Sequence, residues 1–193
     1  MSKEKGVSYL ELMVVLVVLG SMTAVGLRAM DRLIEQSSAR CLMTTVLALT
    51  NQARTVAILH HTYAGIAFEN TARGVEARVY QDGDADGLSA QDVARGVDLP
   101  EGPALALKEE RARVGLPNAV TTDPEGLPLA GSGGVRFGNG NILSFGPAGT
   151  ASPGSLYLAC GDREAWAFRV SPLSGRVRVF QWRSGRWLEV ERH

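Results

Sequence analysis

Residues 7–27 read VSYLELMVVLVVLGSMTAVGL, an apolar run that follows the polar leader MSKEKG at 1–6. Its length matches the ~20 residues a helix needs to cross a bilayer. Lys3 and Lys5 would hold the leader on the cytoplasmic side. Glu11 departs from a plain anchor, because a carboxylate at the centre of a membrane helix costs ~2.5 kcal/mol or more and tends to have a partner. Beyond the run the pattern turns amphipathic: Leu27, Met30, Leu33, Ile34, Cys41, Leu42, Val46, Leu49, Ala53 and Val56 recur mostly three or four apart. No proline interrupts residues 7–60, so one helix of ~80 Å is expected. His60 and His61 fall where the pattern ends. Adjacent histidines point to different sides of a helix, which favours a polar helix terminus over a metal pair.

After His61 the period changes to two. AGIAFE (64–69) and VEARVYQ (75–81) read as strands around a turn, and VRF, ILSF, SLYLAC, AWAFRVS, RVRVFQW and WLEVE follow later. Gly-Asn-Gly, Gly-Asp, Pro-Leu-Ser-Gly and Ser-Gly separate the later runs. Residues 94–134 are rich in Gly and Pro and read as loop, with a short strand near Leu105. The expected fold class is therefore α+β: a long N-terminal helix, transmembrane in its first half, then an antiparallel sheet or sandwich. The expected divisions are a leader at 1–6, a transmembrane half at 7–29, an amphipathic half at 30–61 and a β-rich domain at 62–193.

The whole chain has 193 residues, 20 basic and 20 acidic, with 45% hydrophobic positions. That excludes a disordered chain and a uniformly basic nucleic-acid binder. The zero balance hides unlike parts. Residues 69–110 hold four basic and ten acidic residues, whereas 161–193 hold seven arginines and four acids.

Within the acidic part, Asp82-Gly83-Asp84-Ala85-Asp86-Gly87 places three carboxylates on alternate residues before a glycine. Hard oxygen donors in that spacing resemble the start of an EF-hand-type loop. Asp82, Asp84 and Asp86, the Leu88 carbonyl and Asp92 are the candidate calcium ligands, and calcium is the one cofactor expected. Asp92 comes one position early for a standard loop, and a solvated acidic turn is the competing reading.

Within the basic part, Arg176 and Arg178 share one face of RVRVFQW, and all three tryptophans, Trp166, Trp182 and Trp187, lie in the same tail. Arg183 and Arg186 flank a Ser184-Gly185 turn. Arginines with aromatic neighbours can grip phosphates and stack on bases, but they also commonly decorate a solvent face. Cys41 and Cys160 could pair or stand alone as thiols; spacing does not decide. No nucleophile elbow or phosphate-binding loop is present, so no catalytic residue is expected.

Two stretches resemble a known family. KG-VSYLE followed by the apolar run resembles the signal of type IV pilins and type II secretion pseudopilins. ILSFGPAGTASPGSLYL and Gly175-Arg176-Val177-Arg178 are similar to the second half of the GspH/FimT group of minor subunits. The resemblance implies cleavage by prepilin peptidase between Gly6 and Val7, N-methylation of Val7, and Glu11 pairing with the terminal amine of a neighbouring subunit. It implies a single-pass inner-membrane protein with a periplasmic domain, later assembled into a pilus or pseudopilus. Its partners would be other pilin-like subunits, the peptidase and the inner-membrane assembly platform. As the alternative, a GRxR pattern of this kind implies a DNA-binding minor pilin used in natural transformation, with Arg176 and Arg178 as the contacts.

Overall fold

The computed structural model describes residues 9–190 apart from 130, 132 and 139, and within the first helix it leaves out the side chains of 25–29, 31 and 32. The elements run in the order α1 (Tyr9–His60), β1 (Ala64–Thr71), β2 (Gly74–Gln81), α2 (Ala90–Arg95), β3 (Leu99–Pro100), β4 (Leu105–Ala106), β5 (Ala112–Val114), β6 (Val135–Phe137), β7 (Ile142–Phe145), β8 (Gly154–Cys160), β9 (Glu164–Val170), β10 (Val177–Arg183) and β11 (Arg186–Glu189).

Helix α1 extends over 52 residues, ~78 Å at 1.5 Å per residue, and is unlike along its length. From Ser38 onward Ala39, Leu42, Met43, Val46, Leu49, Ala53 and Ala57 are buried at three- and four-residue intervals. The small alanines on this stripe let the sheets approach the helix closely. From Tyr9 to Ala24 every side chain is exposed. The helix ends at His60, where His61 enters the left-handed region at φ 52°.

One expectation is corrected. Among the described residues no helix is long and apolar enough to cross a membrane. This overturns the fold class with a transmembrane first half and the single-pass inner-membrane placement. The physical reason is charge: Glu11 falls inside the apolar run, and Arg28, Asp31, Arg32 and Glu35 follow it in the same helix.

Two antiparallel sheets form the rest. The first has the order β3-β2-β1-β7, with β4 also on β2; the second has β11-β10-β9-β8-β5, with β6 also on β8. Each sheet thus has an edge divided between two short strands. Beside β8, β5 covers Leu158–Cys160 and β6 covers Gly154–Leu156. The β10–β11 hairpin turns on Ser184 (φ 54°) and Gly185 (φ 82°), two consecutive positive-φ residues, as a two-residue turn matched to strand twist requires.

The main core joins the α1 stripe to the inner faces of both sheets, including Ile66, Phe68, Val79, Phe137, Leu143, Leu156, Leu158 and Phe168. Phe68 of the first sheet stacks on Phe137 of the second, with centroids 5.5 Å apart and planes 11° from parallel. The outer sheet faces have smaller clusters. Leu88 and Val93 cover Ala67, Tyr80 and Ile142; Leu116, Leu129 and Trp187 cover Tyr157, Ala167 and Phe180. The segment 94–134, expected to be mostly loop with a short strand near Leu105, holds β4 at Leu105–Ala106 and also supplies β3 and β5, and part of it covers the second sheet.

Candidate functional site

The acidic loop leaves the end of β2 and returns through α2 to β3. Asp82 is buried and organises its start. Its Oδ1 accepts from the backbone N–H groups of Asp84 (3.1 Å) and Ala85 (2.8 Å), and its Oδ2 accepts from Gly87 N–H (3.0 Å). A side chain at Gly83 would collide with the carbonyl oxygen of Val97, so glycine permits the two ends of the loop to touch.

Ser89 caps α2: its hydroxyl accepts from Asp92 N–H at 3.1 Å and donates to Asp92 Oδ2 at 2.5 Å. Gly96, left-handed at φ 75°, ends the helix.

The structure brings together one oxygen each from Asp82, Asp84 and Asp86, all within 4.8 Å of one another. Asp84 and Asp86 are exposed. The Asp86 carboxyl is pushed up, first by its hydrogen bond with Asp84 and then by the Asp84 charge. Asp92 does not join this group and serves the Ser89 cap instead. Leu88 turns its side chain onto the first sheet.

A further acid, Asp98, is fully buried at the end of the loop. Its Oδ2 accepts from Ser89 N–H at 3.3 Å, while Oδ1 has no hydrogen-bond partner. Burial pushes its carboxyl up, with Asp82 and Asp92 adding to the rise and N–H groups of Ser89 and Gly83 opposing it. Nothing in the local sequence marks this aspartate, because its burial depends on the return of the chain after α2.

The arginine-rich surface is a charged cleft rather than an open basic face. Arg176, just before β10, is exposed, and Arg178 on β10 is held by Glu189 of β11 through two bonds, Nε–Oε1 at 2.9 Å and Nη2–Oε2 at 2.7 Å. The same guanidinium lies 4.9 Å from the Phe180 ring centre. Nearby, Arg169 pairs with Asp123 (3.2 Å) and Glu125 (2.8 Å). A phosphate reaching Arg178 must therefore displace a bidentate carboxylate. Trp187 packs edge-on to Trp182 at 5.4 Å and donates its indole N–H to Thr122 O at 2.7 Å. That contact pins the 122–129 loop to the hairpin.

The Arg178 hydrogen bond holds the Glu189 carboxyl below the ordinary glutamate range. A depressed folded value means that the pair contributes stability above the unfolded glutamate value and loses it as pH falls through the folded one. The expected result is an NMR titration midpoint for Glu189 below the usual range, returning to that range in Arg178→Ala. An unchanged midpoint in the variant refutes the pairing.

The remaining predicted positions are separate. Glu11 is exposed in the first turn of α1, and Gly6 and Val7 lie outside the described residues. Cys41 and Cys160 are free thiols. Cys41 donates to Glu109 Oε1 at 3.4 Å, whereas burial pushes the Cys160 thiol up to about 12.

By its fold, this chain is a two-sheet β domain on a helical spine, with an apolar helical arm at one end. No model of a protein family, no curated protein and no solved structure matches it.

Proposed function

We propose that the chain is a minor pilin-like subunit of a type II secretion pseudopilus or a type IV pilus, freed from its leader by prepilin peptidase and assembled through its N-terminal helix. The observation that supports this reading is the division of α1. Its second half is packed into the β domain, while Tyr9–Ala24 presents Leu10, Leu12, Met13, Val14, Val15, Leu16, Val17, Val18 and Leu19 uncovered. An apolar surface of that size calls for a partner. Parallel copies of the same arm would cover one another, leaving the β domain outward. Within such a bundle Glu11 would meet the amine of Val7 from a neighbour, and each charge would offset the burial of the other.

Mass spectrometry of the chain expressed with prepilin peptidase tests the reading. The expected product begins at Val7; a product that still begins at Met1 or Ser2 overturns it. Glu11→Leu should then lower the subunit recovered in sheared filaments by roughly tenfold or more, the ratio that ~1.4 kcal/mol produces. The melting of the β domain should stay unchanged, since Glu11 lies on the uncovered arm.

A further inference from the structure

We infer that the loop from Asp82 to Asp98 is a calcium site, with Asp82, Asp84 and Asp86 as ligands and the buried Asp98 as the acid that completes its charge. The inference stands apart from the filament reading, since neither the helical arm nor the leader takes part in it.

Three acids on a turn are ordinary and would carry nothing alone. What distinguishes this turn is Asp98, a carboxylate with no solvent exposure and an oxygen, Oδ1, that no donor reaches. It lies at the neck of the loop. The N–H groups facing this carboxylate belong to Ser89, at 3.3 Å from Oδ2, and Gly83. Those residues bracket Asp84, Ala85, Asp86, Gly87 and Leu88, so the carboxylate sits in the neck that they close. The ionisable neighbours acting on it are Asp82 and Asp92, both acids. A buried carboxylate oxygen with acid neighbours and no donor is the setting in which a cation offsets the loss of hydration.

The donor set selects the ion. All the side-chain donors are carboxylate oxygens, which suit a hard cation and not a thiophilic metal. The Asp82, Asp84 and Asp86 oxygens lie within 4.8 Å of one another. Calcium accepts about six to eight oxygens in flexible geometry, whereas magnesium demands a near-ideal octahedron and keeps several of its waters. Asp82 spends its first lone pairs on loop N–H groups and retains others for a metal. The loop also holds Leu88 and Val93 against the outer face of the first sheet, so an ion here would fasten that cover.

Calorimetric titration of the full chain with calcium chloride, and separately with magnesium chloride, provides the test. The expected result is a single calcium per chain, bound roughly tenfold or more tighter than magnesium. The exposed pair Asp84→Asn/Asp86→Asn should weaken calcium binding by roughly a hundredfold, and Asp98→Asn by roughly tenfold, as ligand charge count sets affinity. Circular dichroism shows whether each variant is folded. The melting temperature of the unaltered chain should rise with calcium, and that of the double variant should not. Absence of binding at millimolar calcium overturns the proposal. So does equal affinity in the double variant or in Asp98→Asn, or magnesium binding as tight as calcium.

Discussion

Phe137→Ala is expected to lower the unfolding free energy by about 3–5 kcal/mol. Phe137 is fully buried on β6 and stacks on Phe68 of β1, so its ring is a direct contact between the two sheets within the core. Below it the chain offers no room for compensation: a side chain at Gly154, its neighbour on β8, would strike the Phe137 ring and the Arg136 carbonyl. The glycine lets the ring settle on the backbone. Removal of the ring then leaves a cavity walled by strand backbone, which collapses poorly. Urea denaturation of both proteins measures the loss. A change below ~1 kcal/mol, the scale of an ordinary point substitution, would show that the sheets do not meet at this stack.

Val46→Asp should be as severe for a different reason. Val46 is fully buried at the middle of the α1 stripe, between Leu42 and Leu49. A carboxylate there would lie in an apolar core that offers it no donor, at a cost of several kcal/mol or a strongly raised pKa. Val46→Ala at the same position should cost only ~1–3 kcal/mol, since it removes two methyl groups and introduces no charge. The expected outcome is loss of cooperative urea unfolding in Val46→Asp and its retention in Val46→Ala. Partial rescue of Val46→Asp at low pH follows with a definite sign, because protonation removes the buried charge. Equal midpoints for the two variants at neutral pH would refute the placement of this helical face in the core.

Much of the local structure could be read before folding is considered. Alternation in 64–69 and 75–81 marks β1 and β2, and the late runs divided by glycine turns correspond to β6 through β11. Ser184-Gly185 turns as its composition requires. These features are short-range: two-residue periodicity and positive-φ tolerance act within a few positions. Within 94–134 only the short strand near Leu105 was legible, and the rest resisted reading for the same reason in reverse. β5 has three residues and β3 and β4 have two each, too few for a pattern, and they exist because β2 and β8 offer unpaired edges.

The candidate site divides in a similar way. The alternating aspartates at 82, 84 and 86 stand out in the primary structure, and the chain does bring their oxygens together. The role read for Asp92 is different, because Ser89 three residues earlier engages it as a helix cap. Asp98 gave no local signal at all. Likewise Arg178 reads as a free cation until β11 folds back and supplies Glu189 from eleven residues away.

Residues three or four apart along 38–57, and two apart in the strands, were sufficient to say which faces turn inward, since side-chain direction follows from backbone period alone. Two facts required the assembled chain. One is the extent of the helix that its own domain covers: the apolar pattern begins at Val7, but among the described residues full burial begins at Ser38, where the sheets reach the helix. The other is which acids and bases meet, because pairing depends on distances between segments remote in the chain, and charge in water carries no mark of its eventual neighbour.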